Sequence, residues 1–358
     1  TIFEQEIGPA LRLPLSASYR FGPVLAAAAG RIAGKPYAAL SHRHTDVQLR
    51  QSTEGEGLST TQLAAHVALE HLKQIECREL CILLRQPSQS IGLERRFLSL
   101  GIDYRVAGFR SFLNRPEILL VRGLHAFSTG DFGDFVDKAQ RAAVLEAMLF
   151  FADASIDSRE LQHLHVVQAR RSAIDAAARM PDGMRDFVAN QVLRSASPLA
   201  RRCLSGALGV LKTGDAAHAF ENFLSELQVE KLARAVLVRQ EDISEVVRNL
   251  NELRESAEDE GQSLWRCLAS LHQLTHARPR SKSAPRVLVS SIEAAKGLEF
   301  DHVLVHQLSR GKFVGSGTLQ ENRNLFYVAI TRARKRLTMT YGPELPSKFL
   351  IDAGLIQG

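Results

Sequence analysis

The 358-residue chain carries 45 Lys and Arg against 39 Asp and Glu, a formal net charge of +6 with histidine neutral, and is 45% hydrophobic and 23% charged. That balance excludes collagen-like, disordered and disulfide-stapled chains, and a length of this order suits two or three domains with a sizeable core. No run reaches the roughly 18 apolar residues of a membrane span, since Glu146 and Asp153 break even the Leu145–Ala154 stretch.

Thr1–Glu6 holds no basic region leading into an apolar stretch, so no secretory signal is predicted and the expected address is cytoplasmic. Thr1, in place of an initiator methionine, predicts a chain that begins inside a longer one. The first third alternates helical and strand patterns. Gly22–Ala33 is an Ala-rich helix stopped by Gly34, Thr61–Gln74 has apolar residues at helical spacing, and Leu80–Leu84 is a short apolar run. Ser88–Leu100 reads as a helix ended by Gly101, and Asp103–Ala107 as a further strand. Runs as apolar as Leu80–Leu84 suit strands covered on both faces, which predicts a mostly parallel sheet.

From about Phe127 to His276 the strand-like runs disappear, and helical periodicity recurs in Val136–Phe151, Arg185–Leu193, His218–Gln228 and Glu241–Ser256. This predicts a helical domain. The segment His276–Arg286 holds four Arg or Lys, two prolines and no acid, so an exposed linker is expected. Strands then return at Val287–Ser290, Val303–His306 and Leu337–Thr340, with a helix over Asn322–Lys335. One α/β domain interrupted by a mostly helical insertion is the predicted architecture, without internal repeats.

The stretch Ser290–Asp301 leaves one apolar strand, passes through Lys296-Gly297 and enters another. A glycine just past a strand end lets backbone amides approach a phosphate, and a carboxylate two residues later, Glu299, could hold ribose hydroxyls. Taken alone, the same residues fit an ordinary turn with a capping glycine. Downstream, Leu325, Val328, Ala329 and Arg332 fall at helical spacing, so an arginine emerges near the end of an apolar face. It reads either as a salt-bridged helix end or as a guanidinium aimed at a phosphoryl group. Arg334, Lys335 and Arg336 beside it read as a solvated helix end.

Together these segments resemble motifs five and six of superfamily 1 DNA helicases of the UvrD/Rep/PcrA type. Ser291, Ala295, Lys296, Gly297, Leu298, Glu299 and Phe300 match T-x-H-x-A-K-G-L-E-F; Glu321, Arg323, Leu325, Tyr327, Val328, Thr331, Arg332 and Ala333 match E-E-R-R-L-x-Y-V-x-x-T-R-A. Ser18–Phe21 resembles the N-Y-R-S motif four, and Phe112–Ile118 the F-F-x-R-x-E-I segment that precedes the helical insertion. In the middle, only Val246–Leu253 looks like a family helix.

The resemblance implies a RecA-like parallel-sheet motor domain of the P-loop NTPase type, residues 1–127 and 277–358, interrupted by a helical accessory domain, residues 128–276. It implies ATP as ligand and single-stranded DNA as partner, with duplex DNA as an open alternative. By family analogy Tyr19 stacks on adenine, Arg20 and Arg332 contact the γ-phosphate, Gly297 approaches that phosphate and Glu299 holds the ribose. Ser291, Glu293 and Lys296 fall on the DNA side, with Glu293 where the family usually has a histidine; a carboxylate there would repel a nucleic-acid backbone. The chain holds no G-x-x-x-x-G-K-[ST] and no D-E-x-x-D segment. The phosphate cradle and the Mg ligands are therefore expected outside it, in a first RecA-like domain present in cis or in trans, and the chain alone is expected to be inactive. The rival expectation is a non-catalytic nucleic-acid-binding or regulatory protein built on the same fold.

Other residues carry less. Cys77 and Cys81 are spaced unlike zinc or redox pairs, and Cys203 and Cys267 are isolated, so buried thiols are expected. The His-x-His pairs His42/His44 and His163/His165 lack a nearby third ligand, so no metal site is predicted. Trp265 is expected to pack in the helical core.

Overall fold

A computed structural model describes residues 6–8, 17–40, 44–52, 58–156, 165–214, 218–276, 284–313, 315 and 317–357. In chain order the first elements are β1 (Ala17–Ser18), α1 (Pro23–Ala33), β2 (Ala38–Ala39), β3 (Asp46–Gln51), α2 (Thr60–Lys73), β4 (Leu80–Leu84), α3 (Ser90–Ser99), β5 (Tyr104–Ala107) and α4 (Pro116–Thr129). Among the described residues the α-helices that follow are α5 (Lys138–Phe151), α6 (Val166–Ala177), α7 (Pro181–Phe187), α8 (Pro198–Thr213), α9 (Ala219–Leu227), α10 (Val229–Val236), α11 (Gln240–Asp259) and α12 (Leu264–His276). The chain then returns to β6 (Val287–Ser291), β7 (Phe300–Val305), α13 (Leu319–Ile330), β8 (Ala333–Tyr341) and α14 (Lys348–Asp352).

The fold is mixed α/β. Six strands lie in the order β3-β8-β7-β4-β6-β5. The ladders of β3 with β8, β8 with β7, β7 with β4 and β5 with β6 are all parallel. Every residue of β4, β6 and β7 is buried, as their apolar runs require.

Two compact units divide the chain: Thr1–Thr60, Gln74–Leu83 and Ile292–Gly358 form one, and Thr61–Lys73 with Leu84–Ser291 the other. In the first, α1 starts with Pro23 at its first turn and stops at Gly34, whose φ of 65° supplies the left-handed residue that ends the helix. Helix α13 is opened by a capping box: Thr318 Oγ1 accepts from the Glu321 amide at 3.2 Å, and Glu321 Oε2 accepts from the Thr318 amide at 2.6 Å. Phe326 packs on Phe313 and Phe349 with ring centroids 5.8 and 5.7 Å away, and Arg323 pairs with Asp352 at 2.7 Å. These contacts fix α13 against α14. Within the sheet, the imidazoles of His302 and His306 reach Thr338 and Thr340 at 2.9 and 3.1 Å, and complete burial pulls His306 down to about 3, so it is neutral.

The second unit is mostly helical. α8 buries Ala200, Cys203, Leu204, Ala207, Leu208 and Leu211, the apolar stripe of an amphipathic helix, and Ser197 caps its start. A buried polar cluster joins the two family-like segments of this unit. Asn249 of α11 accepts from Arg115 at 2.9 Å and donates to Glu117 at 2.6 Å, all three residues being buried.

Some boundaries differ from expectation. The helix predicted over Asn322–Lys335 ends at Ile330, and residues from Ala333 onward join β8. The ladder to β7 and the carboxylates Asp301 and Asp46, paired with Arg334, Lys335 and Arg336, outweigh local helix propensity there. Strand β3, unpredicted, is an edge strand of mixed polarity. The four cysteines are buried and form no disulfide, and burial pushes Cys267 up to about 11. The Trp265 ring meets His125 edge-on at 5.0 Å. His42, His163 and most of the expected linker lie outside the described residues; His44 is exposed.

Candidate functional site

Tyr19, Arg20 and Phe21 form the turn between β1 and α1. Phe21 is buried and anchors the turn, stacking on Tyr37 with centroids 6.1 Å apart. The Gly22 amide donates to Thr45 Oγ1 at 2.9 Å, and that buried hydroxyl donates to the Arg334 carbonyl at 2.9 Å. The turn is thus tied to β8. Tyr19 is left 74% exposed, which opens its ring to a planar partner.

Arg20 reaches across the unit. Its Nε donates to Glu299 Oε2 at 2.7 Å and its NH1 to the Thr331 carbonyl at 2.9 Å. Arg332 lies just past α13 and is held by its own surroundings: Nε donates to the Val328 carbonyl at 3.0 Å, NH1 to the Leu298 carbonyl at 2.9 Å and NH2 to Thr331 Oγ1 at 3.1 Å. Each terminal nitrogen keeps a second N–H. Burial, together with repulsion from Arg20, pulls the Arg332 guanidinium below its ordinary pKa. Two cations that disfavour one another in a half-buried site make it favourable to an anion.

Tyr19, Arg20, Glu299 and Arg332 therefore line one cavity of about 440 Å³. Glu299 is held below the usual carboxylate range by its bond to Arg20, burial opposing only in part. Gly297 stands outside this lining, two residues before Glu299, with φ of 82° and open space where a Cβ would point. Only a residue tolerant of the left-handed region sets the following Leu298 carbonyl on Arg332 without strain. The expected DNA-side residues are not among those that line the cavity: Ser291 ends β6 and is buried, while Glu293 and Lys296 are exposed on the turn after it.

Two polar lining residues, Tyr37 and Arg334, lie outside the family motifs. Tyr37 is carried there by the two-residue ladder of β1 with β2, in which Ala17 faces Ala38, and it lines the cavity together with Tyr327. Arg334, read as a solvated helix end, also lines the cavity and donates to Glu299 at 3.2 Å. Tyr327 and Thr331 had matched the family pattern; no local signal marks Tyr37. With three guanidiniums, one carboxylate and an exposed ring, the cavity is suited to an anion attached to a planar group.

Residues 199–344 match the family of the UvrD-like helicase C-terminal domain. Over 325 residues the chain is 24% identical to the ATP-dependent DNA helicase Rep of Escherichia coli (strain K12), covering 82% of this chain and 45% of that protein. It is 25% identical over 285 residues to the ATP-dependent DNA helicase PcrA of Bacillus subtilis (strain 168), covering 73% and 36%. It is also 25% identical over 298 residues to DNA helicase II of E. coli (strain K12), covering 76% and 40%. The chain thus spans less than half the length of these relatives.

Proposed function

From the correspondence of this chain to the C-terminal region of UvrD-type helicases, we propose that it supplies half of an ATP site and part of a single-stranded DNA track to a cytoplasmic ATP-dependent DNA helicase or translocase. Residues 1–127 and 277–358 act as the second RecA-like motor domain, and residues 128–276 as the inserted accessory domain. The observation that carries this reading is the convergence of Arg20 and Arg332, from opposite ends of the chain, on one cavity beside the exposed Tyr19.

In this reading the Tyr19 ring stacks on the adenine, Glu299 holds the ribose, and Arg20 and Arg332 face the γ-phosphate. Arg332 is fixed by two carbonyls and a hydroxyl, so its cation need not reorganise as negative charge develops on the transferred phosphoryl oxygens. Bound magnesium would neutralise phosphate charge; its ligands belong to the first RecA-like domain, and among the described residues no group of three His, Cys, Asp or Glu could hold a metal. That domain, in cis or in trans, also brings the phosphate cradle. Ser291, Glu293 and Lys296 face the DNA.

Steady-state phosphate release by the purified chain, with and without single-stranded DNA, tests the half-site, and titration with an ATP analogue tests the cavity. Weak binding lowered by Tyr19→Ala and Arg332→Ala, without turnover, is expected. Magnesium-dependent turnover abolished by Arg332→Ala would overturn the half-site. Binding indifferent to both substitutions would overturn the cavity assignment.

A further inference from the structure

Strand β8 carries one more residue than its partner β7 beside the cavity. Ala333 faces Phe300 and Arg336 faces His302, so Arg334 and Lys335 both stand opposite the single residue Asp301. Such a bulge interrupts the alternation of a strand and re-aims its side chains. Here both cations reach the same carboxylate: Arg334 NH2 donates to Asp301 Oδ1 at 2.6 Å and Lys335 Nζ to Oδ2 at 3.2 Å. Asp301 is buried and also accepts the Arg78 amide at 3.1 Å, so it is a fixed anchor. The opposite arm of the Arg334 fork, NH1, reaches Glu299 Oε1 at 3.2 Å, while Glu299 Oε2 holds Arg20 Nε at 2.7 Å. Glu299 is 43% exposed, and an exposed pair with Arg20 alone would be loose.

We infer that Arg334 is a positioning residue of the nucleotide site: anchored on Asp301 by the β-bulge, it holds Glu299 as a second countercharge, so that Arg20 can leave Glu299 for an incoming phosphate without stranding a carboxylate. The inference rests on the nucleotide reading of the cavity. Without Arg334, the bond from Arg20 is the one side-chain hydrogen bond left to Glu299 among the described residues, and Glu299 competes with the polyphosphate for Arg20. A planar guanidinium can serve Asp301 and Glu299 at once; a lysine ammonium is a single point charge at the end of an unbranched stem.

The test is titration of the isotope-labelled chain with ATP, following the amide resonances of Tyr19–Phe21 by NMR. Arg334→Ala is expected to raise the ATP Kd about tenfold, the scale of one lost charge-assisted hydrogen bond. Adding Glu299→Gln to Arg334→Ala is expected to recover most of that loss, because it removes the competing charge while the amide carbonyl keeps an acceptor for the ribose hydroxyls; a merely structural defect would not be relieved this way. Arg334→Lys, which keeps an ion pair to Asp301, carries the same pair of measurements should Arg334→Ala not fold. A Kd within twofold of the parent in the Arg334 variants, or a loss that Glu299→Gln leaves in place, would overturn the inference while Tyr19→Ala still weakens binding. Indifference of ATP binding to Tyr19→Ala as well would instead remove the nucleotide reading, and this inference with it.

Discussion

Asn249 offers a direct measure of how much a buried polar cluster contributes to the helical unit. Its side chain is 2% exposed, accepts from Arg115 NH1 at 2.9 Å and donates to Glu117 Oε1 at 2.6 Å. Arg115 and Glu117 are themselves 3% and 2% exposed. Arg115 keeps other acceptors, the Arg110 and Pro87 carbonyls and Ser90 Oγ. Glu117 is in a poorer position, since burial pushes its carboxyl above the ordinary range and the Asn249 amide opposes that shift. Asn249→Ala therefore removes one hydrogen bond from a buried cation and one from a buried carboxylate, each contributing about 1.5–3 kcal/mol. A water entering the vacated space would recover part of this. A loss of about 3 kcal/mol is expected, or a fall of roughly 6–12 °C in Tm for a unit of this size. Urea and thermal unfolding followed by circular dichroism give both quantities. Asn249→Asp sharpens the test: it gives Arg115 an ion pair but sets a second carboxylate against Glu117. The two acids must share a proton, so its destabilisation should shrink as pH falls from 8 to 5. A cost below about 1 kcal/mol for Asn249→Ala, or a pH-independent Asn249→Asp, would refute the reasoning.

On the proposed reading, Arg332→Lys in a complete protein that brings a first RecA-like domain should leave the fold unchanged yet lower the ATPase rate by on the order of a thousandfold, because lysine lacks the planar fork; near-normal turnover would take Arg332 out of the site. Glu293→His should tighten single-stranded DNA binding and steepen its salt dependence, read by fluorescence anisotropy at several salt concentrations, and unchanged values would place Glu293 away from the strand. For Asp301, burial pushes the carboxyl up, but its bonds to the Arg78 amide, Arg334 and Lys335 outweigh this and hold it below the ordinary range. Its stabilisation is therefore fully present above the unfolded value of about 4 and is lost as pH falls through the folded one. Asp301→Asn should cost about 1.5–3 kcal/mol at pH 7, and its urea midpoint should converge on that of the parent under acid; parallel curves down to about pH 2.5 would contradict the assignment.

Much of the architecture is legible from residues taken in order. The buried strands Leu80–Leu84 and Val287–Ser291 announce themselves because a strand covered on both faces must be apolar throughout. Helix Pro23–Ala33 is bounded by its own proline and glycine, and the amphipathic stripes of the insertion repeat at helical spacing. The family motifs likewise singled out Tyr19, Arg20, Glu299 and Arg332, which the tertiary structure brings to one cavity. What sequence could not disclose depends on partners distant along the chain. Asp46–Gln51 is half polar and becomes a strand because the edge of β8 pairs with it. Arg334–Arg336 leave the predicted helix because Asp301 and Asp46 wait on neighbouring strands, and the bulge that turns Arg334 toward Glu299 exists only once β7 and β8 are in register. Tyr37 enters the cavity through a two-residue ladder. Periodicity and capping are properties of a few consecutive residues, and the sequence displays them directly; an ion pair, a register shift or a shared cavity is a property of two segments at once, and only folding brings them within a few ångströms.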